Sequence, residues 1–166
     1  MDKEADPFYR PLELSNRSIR VLTLLPDSRS SKLSCLLRSV SLDNAPIFCA
    51  LSYTWGDQSN PTPILVNGQT FQIGTNLEQA LLRLRKKTFS RDLWIDAVCI
   101  NQQDIEERGS QVSLMRDVYE QASDVLIWLG EHGVERREDD VVEFLEDNIL
   151  SYIWNSAKSM FVVPEV

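Results

Sequence analysis

The stretch Leu93-Trp94-Ile95-Asp96-Ala97-Val98-Cys99-Ile100-Asn101-Gln102 decides how the rest of the chain is read. A short apolar run stops abruptly at a polar cluster, as a buried strand does where it reaches the edge of a sheet. Two further segments are built the same way: Ala50-Leu51-Ser52-Tyr53-Thr54-Trp55-Gly56-Asp57 and, more loosely, Asp124-Val125-Leu126-Ile127-Trp128-Leu129-Gly130-Glu131. Three such segments predict an open α/β sheet with a site along one edge, because ligands of such sheets sit beyond the carboxyl ends of parallel strands.

The sequence between these segments supplies the crossovers. Asp104 with Glu107 three residues later has capping-box spacing, and a helix is predicted over 105–121 with Val112, Met115, Tyr119 and Ala122 along one face. Strand, helix and strand within one short unit make a βαβ crossover. Asn76 with Gln79 suggests a second capping box, followed by Leu77, Ala80, Leu81 and Leu84 at helical spacing, and Arg83, Arg85, Lys86 and Lys87 near the carboxyl end suit the helix dipole. Parallel strands are therefore expected near 48–53, 93–96 and 125–129. Leu51, Ile95, Val112, Met115, Ile127 and Leu129 are expected in the core.

Further out the signals change. Residues 64–66, Asn67-Gly68 and 70–73 form a hairpin signal, since Asn-Gly suits a type I′ turn with positive φ at both central residues. Residues 1–18 are polar, contain Pro7 and Pro11, and read as an arm ahead of a domain over 19–166. Ile19–Leu25, closed by Pro26, and Leu33–Leu42, ended by Asp43-Asn44, read as strands that pair antiparallel across a Ser-rich turn. Asp140–Ser156 reads as an amphipathic helix and the tail from Met160 as a strand. The expected fold class is α/β: a single three-layer domain with a mainly parallel central sheet, an N-terminal antiparallel extension and a β-hairpin insertion.

Composition bounds the function. A chain of 166 residues with 43% hydrophobic residues is ordinary for one globular domain. The net charge of −8 is unevenly placed: residues 1–100 hold 12 Lys/Arg against 10 Asp/Glu, and residues 101–166 hold 5 against 15. An acidic second half argues against nucleic acid and anionic membrane as partners, since both demand basic patches. Three cysteines without a CxxC pair, beside a single histidine, give no credible zinc set. The charged start lacks an apolar h-region, and no apolar run approaches the ~20 residues of a membrane helix, so the expected compartment is the cytoplasm.

Site candidates cluster at the strand ends. Asp96 reads first as a capping acceptor for the backbone of residues 97–102 and next as a ligand contact. Asn101 and Gln102 either hold the loop or bind through fixed amide geometry. Gly56 allows a tight turn. Trp55 stacks on a planar ligand or covers core, and Asp57 binds a ribose hydroxyl or caps its loop. Cys99 with His132 is a conceivable nucleophile and base, but Cys99 alternates with apolar neighbours and reads as core. No P-loop and no GxGxxG occur.

The strings ALSYTWGD, VNG, NLEQALLRLR and LWIDAVCINQQDIEERGSQVSLMRDVYEQASDVLIWLG resemble, in order and spacing over residues 48–131, the fungal heterokaryon-incompatibility (HET) domain. The resemblance implies non-self recognition and regulated cell death through protein association. Implied partners are other HET or NOD-like receptor components, and self-association. HET domains are in turn distantly similar to TIR domains, some of which cleave NAD with a late glutamate. That implies a TIR-like fold and a second reading, an NAD hydrolase with NAD as substrate rather than cofactor. The later HET segment Arg-x-Trp-x-x-Gln-Glu is matched here by residues 160–165, with Phe161 for Trp, Pro164 for Gln and Glu165 as the catalytic acid. Glu165 stands next to the last residue, where a side chain is poorly positioned for catalysis, so little NAD cleavage is expected from this chain. A third reading is an inactive, truncated HET fragment.

Overall fold

The computed structural model describes residues 8–27, 32–130 and 160–163. Its strands are β1 (Ser18–Leu24), β2 (Ser34–Ser41), β3 (Cys49–Tyr53), β4 (Thr62–Val66), β5 (Gln69–Ile73), β6 (Arg91–Trp94), β7 (Asp124–Trp128) and β8 (Met160–Val162). Three helices accompany them: α1 (Thr75–Leu84), the single turn α2 (Asp96–Cys99) and α3 (Ile105–Gln121). The strands form one sheet in the order β5-β4-β2-β1-β6-β3-β7-β8.

The three segments with matching grammar lie side by side. β3 is parallel to β6 on one side and to β7 on the other, so all three carboxyl ends share one edge. Cys49–Tyr53 runs in register with Asp124–Trp128. The sheet as a whole is mixed rather than mainly parallel. β1 is antiparallel to both β2 and β6, and β4 is antiparallel to β5. Connection length accounts for two of these pairings: the short link from Leu24 to Ser34 cannot carry a parallel crossover, which takes about a dozen residues or more, and the two-residue turn at Asn67-Gly68 makes β4 and β5 a hairpin.

The hairpin behaves as its Asn-Gly suggests. Asn67 and Gly68 have φ of 52° and 76°, the sign a type I′ turn requires at both positions. The hairpin leaves β3, crosses to the far edge of the sheet and lays β4 parallel to β2 at Ser34 and Cys35.

Both faces of the central strands are covered. In β1, Ile19, Arg20, Val21 and Leu22 are all buried, and in β7 so are Val125 to Trp128. Such continuous burial marks strands packed on both faces. Leu51, Ile95 and Ile127 lie in this core as expected. Met115 and Leu129 are only half-buried, and Val112 is 50% exposed. α3 buries Glu107, Gln111, Val118 and Tyr119, with Ala122 just past its end, so Tyr119 and Ala122 of the expected face lie inside while Val112 does not. Apolar periodicity misplaced the first half of that face because its inward positions, Glu107 and Gln111, are polar. Within the segment read as an arm, Tyr9 and Leu12 are buried. The helix expected over 140–156 lies outside the described residues. Among the described residues no helix is long and apolar enough to cross a membrane.

Candidate functional site

The carboxyl ends of β3, β6 and β7 form a ledge, and its polar side chains are tied to one another. β6 ends at Trp94, and the chain turns at once into α2. The Asp96 carboxylate accepts the Ala97 amide at 2.7 Å, and its backbone carbonyl accepts Ile100 N and the Gln102 side chain at 3.2 and 3.0 Å. From across the sheet edge, Trp55 Nε1 donates to Asp96 Oδ2 at 3.1 Å. Burial raises the Asp96 carboxyl above the usual aspartate range, and the Ala97 and Trp55 donors oppose that rise. Asp96 thus acts as a capping acceptor and as the partner of Trp55.

The loop after β3 is held from its own side. Gly56 has φ of 65°, which a side-chain-bearing residue rarely adopts. Gln58 Nε2 donates to the Trp55 carbonyl. Asp57 accepts Ser59 N and Oγ at 2.8 and 2.7 Å, and those two donors hold its carboxyl below the usual range. Trp55 remains 39% exposed.

Asn76, read from the sequence as a helix cap, does something else. It lies inside α1, whose cap is Gly74 without a side-chain bond. Its Nδ2 donates to the Thr54 carbonyl at 2.6 Å, and its Oδ1 accepts Trp128 Nε1 at 2.8 Å. One carboxamide therefore clips the end of β3 to the end of β7. A Cβ on Gly56 or Gly130 would stand 3.7 or 3.8 Å from Asn76, so both loops approach this clip.

Below the ledge lies a second group of residues that composition and spacing did not reveal. Asp104 caps α3 as expected, accepting Glu106 N and Glu107 N. Glu107 does not reach back to complete the box. It points inward, where Arg20 Nη1 and Nη2 meet its two oxygens at 2.6 and 2.9 Å. Arg20 is 2% exposed and also donates to the carbonyls of Cys99 and Arg10, at 3.1 and 2.7 Å. Tyr9 lays its ring 4.7 Å from the guanidinium carbon and donates its hydroxyl to the Val98 carbonyl. Glu107 Oε1 also accepts Asn101 N at 2.7 Å. The loop over 98–101 is thus fastened from inside by a buried ion pair. Asn101 is itself buried and accepts Gln103 N through its Oδ1 at 3.1 Å. The available signal was the Glu107 and Gln111 pair, four residues apart on the helix and in phase with Val118.

Catalytic options are narrow. Cys99 is buried, and burial pushes its thiol up to about 12, so it cannot supply a thiolate near neutral pH. His132 and Glu165 lie outside the described residues. Among the described residues no three His, Cys, Asp or Glu side chains are grouped as a metal set requires. The structure thus brings Trp55, Gly56 and Asp96 to one ledge with Gln102 beside them, keeps Asn101 beneath it, and leaves Asp57 on the solvent side of its own loop.

Comparison with known proteins bears on these same elements. The family model for heterokaryon incompatibility protein (HET) matches residues 48–147, from the residue before β3 past the end of β7. A relative from Neurospora crassa, heterokaryon incompatibility protein 6, OR allele, is 38% identical over 138 residues. That match covers 74% of this chain and 20% of the relative, so the chain spans about one fifth of that protein's length. No solved structure matches. The segments that build the ledge are the segments the family model spans, and the chain belongs to the heterokaryon incompatibility protein (HET) family.

Proposed function

We propose that the domain serves heterokaryon incompatibility as a protein-association module, presenting the ledge around Trp55 to a partner in the cytoplasm. One observation carries this reading. Asp96, Asn76, Asn101, Gln102 and Asp57 are each engaged in holding a loop, while Trp55 offers a large aromatic surface on that rigid support. Association surfaces use such anchors: a partly exposed aromatic held in one geometry by its surroundings. Hydrolysis of NAD asks instead for an acid free to act on the sugar, and Asp96 on the ledge and Asp57 in the loop beside it are both committed to donors of the protein itself. Other HET or NOD-like receptor components, or a second copy of the domain, are the partners this reading puts first.

The test is expression of the chain and of Trp55→Ser in a filamentous fungus, with viability and co-purified partners as readouts. Trp55→Ser is expected to abolish partner recovery and blunt the death response while the purified chain still unfolds cooperatively, its melting temperature lowered only by loss of the bond to Asp96. Purified chain incubated with NAD is expected to release no nicotinamide. Robust release that disappears in Glu165→Ala overturns the association reading in favour of the hydrolase. A chain that neither recovers a partner nor affects viability is an inactive fragment.

A further inference from the structure

β2 outlasts its outer neighbour. It pairs with β1 over its whole length, but meets β4 only at Ser34 and Cys35. β4 stops at Val66, and the chain turns away through Asn67-Gly68. Beyond that point no described strand lies beside the outer edge of β2.

Backbone parity identifies which groups face this gap. The carbonyls of Leu33 and Cys35 accept Leu65 N and Asn67 N at 2.9 and 3.0 Å. The N–H and C=O of Leu37 are both taken by the Asn67 carboxamide, at 3.0 Å each, so that side chain stands in for one more residue of β4. Backbone groups two residues apart in a strand point the same way. The N–H and C=O of Ser39 and the N–H of Ser41 therefore face the gap.

The gap opens into a cleft of about 920 Å3. Both alternating sets of β2 line it, Ser39 and Ser41 with Arg38 and Val40, as happens where a strand edge rather than one face is open. The segment running from Phe8 to Asn16 forms the other wall. That wall is anchored: Phe8 stacks on Phe71 of β5 at 4.5 Å, and the Arg10 carbonyl accepts Arg20. The cleft lies on the antiparallel half of the sheet, and none of the ledge residues lines it.

We propose that this cleft is a β-augmentation site, taking one extended, acidic peptide segment of a partner protein as an added strand on β2. The extended form follows from an edge that no described strand covers, which offers main-chain pairing at Ser39 and Ser41. From Leu37 to Ser41 it spans ~13 Å at ~3.3 Å per residue, room for a short strand. The acidic character follows from the lining charges. Three arginines, Arg10, Arg20 and Arg38, line the cleft against one carboxylate, Glu13, which keeps its charge when the neutral Asn16 amide bonds to it; Glu107 and Asp92, which pair with Arg20 and Arg38, are not lining residues. Arg10 makes no ion pair with a described residue. That the occupant is a protein rests on the association reading above; the open edge does not.

Amide exchange followed by NMR on the full chain tests this. In the free protein the Ser39 amide is expected to exchange fast while those of Arg38 and Val40, directed at β1, exchange slowly. The probe is acetyl-Thr-Val-Glu-Val-Thr-amide. It should protect Ser39 and Ser41 saturably, and should lose at least about ten-fold in affinity when its backbone is N-methylated or its glutamate is replaced by lysine. Arg10→Glu should reverse the preference between the two charged probes, and Arg10→Gln should abolish it. No protection at millimolar probe, protection indifferent to N-methylation, or equal binding of both charged probes overturns the proposal. Trp55→Ser is expected to leave this binding intact, so failure at the ledge and failure at the cleft are separable.

Discussion

Two loops leave the same edge of the sheet from strands with the same sequence grammar, and they are held in opposite ways. The loop after β3 carries Trp55 outward; Asn76 holds its root at the Thr54 carbonyl, and beyond that its own residues secure it, Gln58 on the Trp55 carbonyl and Ser59 on Asp57. The loop after β6 is fastened from beneath by residues distant in sequence, Arg20 and Glu107 gripping Cys99 and Asn101. Asp96 belongs to the second loop and Trp55 to the first, and their hydrogen bond joins the two. One loop is a support and the other is what the support displays.

That contrast ranks the effects of substitution. The largest belongs to the buried clamp. Glu107→Ala leaves Arg20 charged and unpaired in the core and strips Asn101 N of its acceptor, and should destabilise the chain by about 3–5 kcal/mol in urea unfolding. A loss below about 1 kcal/mol would show that the loop after β6 is not held from inside. Asn76→Ala comes next. It removes both bonds of the clip and leaves Trp128 Nε1 unpaired, for a cost of about 1–3 kcal/mol. The Trp128 indole resonance should shift in that variant while the Asn101 amide stays protected.

A smaller effect is expected from pH at the bridge between the loops. Burial raises the Asp96 carboxyl, so the folded chain binds a proton there more readily than the unfolded chain. The contribution of Asp96 is therefore fully present below the unfolded value and declines as pH rises through the raised folded value. The stability of the native chain relative to Asp96→Asn should fall over that window when urea midpoints are compared at several pH values. A rise instead would mean that the Trp55 and Ala97 donors outweigh burial. The least effect belongs to Asp57→Ala. Its carboxylate is exposed and serves only Ser59, so faster exchange of the Ser59 amide with an unchanged urea midpoint is the expected result.

Local patterning made one half of this fold legible. Leu51, Ile95 and Ile127 sit where apolar runs end in polar clusters, and the three parallel strands followed from that pattern. The Asn67-Gly68 turn and the Asp104 cap were equally visible because each depends on its own few residues. What the sequence concealed was every polar side chain whose partner is remote. Asn76 has capping-box spacing but bonds to Thr54 and Trp128. Glu107 completes the same motif on paper and instead turns inward to Arg20, 87 residues away. Val112 begins an apolar stripe that is buried only further along, at Tyr119 and Ala122, because Glu107 and Gln111 occupy the inward positions of the first turns. The antiparallel pairs β1–β2 and β4–β5 were legible too, from the Ser-rich turn and from Asn67-Gly68; what escaped was how they join the central sheet, β1 against β6 and β4 against β2, since no local pattern fixes which strands become neighbours.

The distance along the chain between Arg20 and Glu107 also has a bearing on the order of folding. The pair closes only after β1, the turn after β6 and the start of α3 have come together, and contacts of such separation carry a large closure entropy. A contact completed after the rate-limiting barrier acts on unfolding alone, whereas one already formed in it slows folding when removed. For a clamp that closes that late, substituting Glu107 should leave the refolding limb of a chevron nearly in place and raise the unfolding limb, making the clamp a brake on escape from the native state.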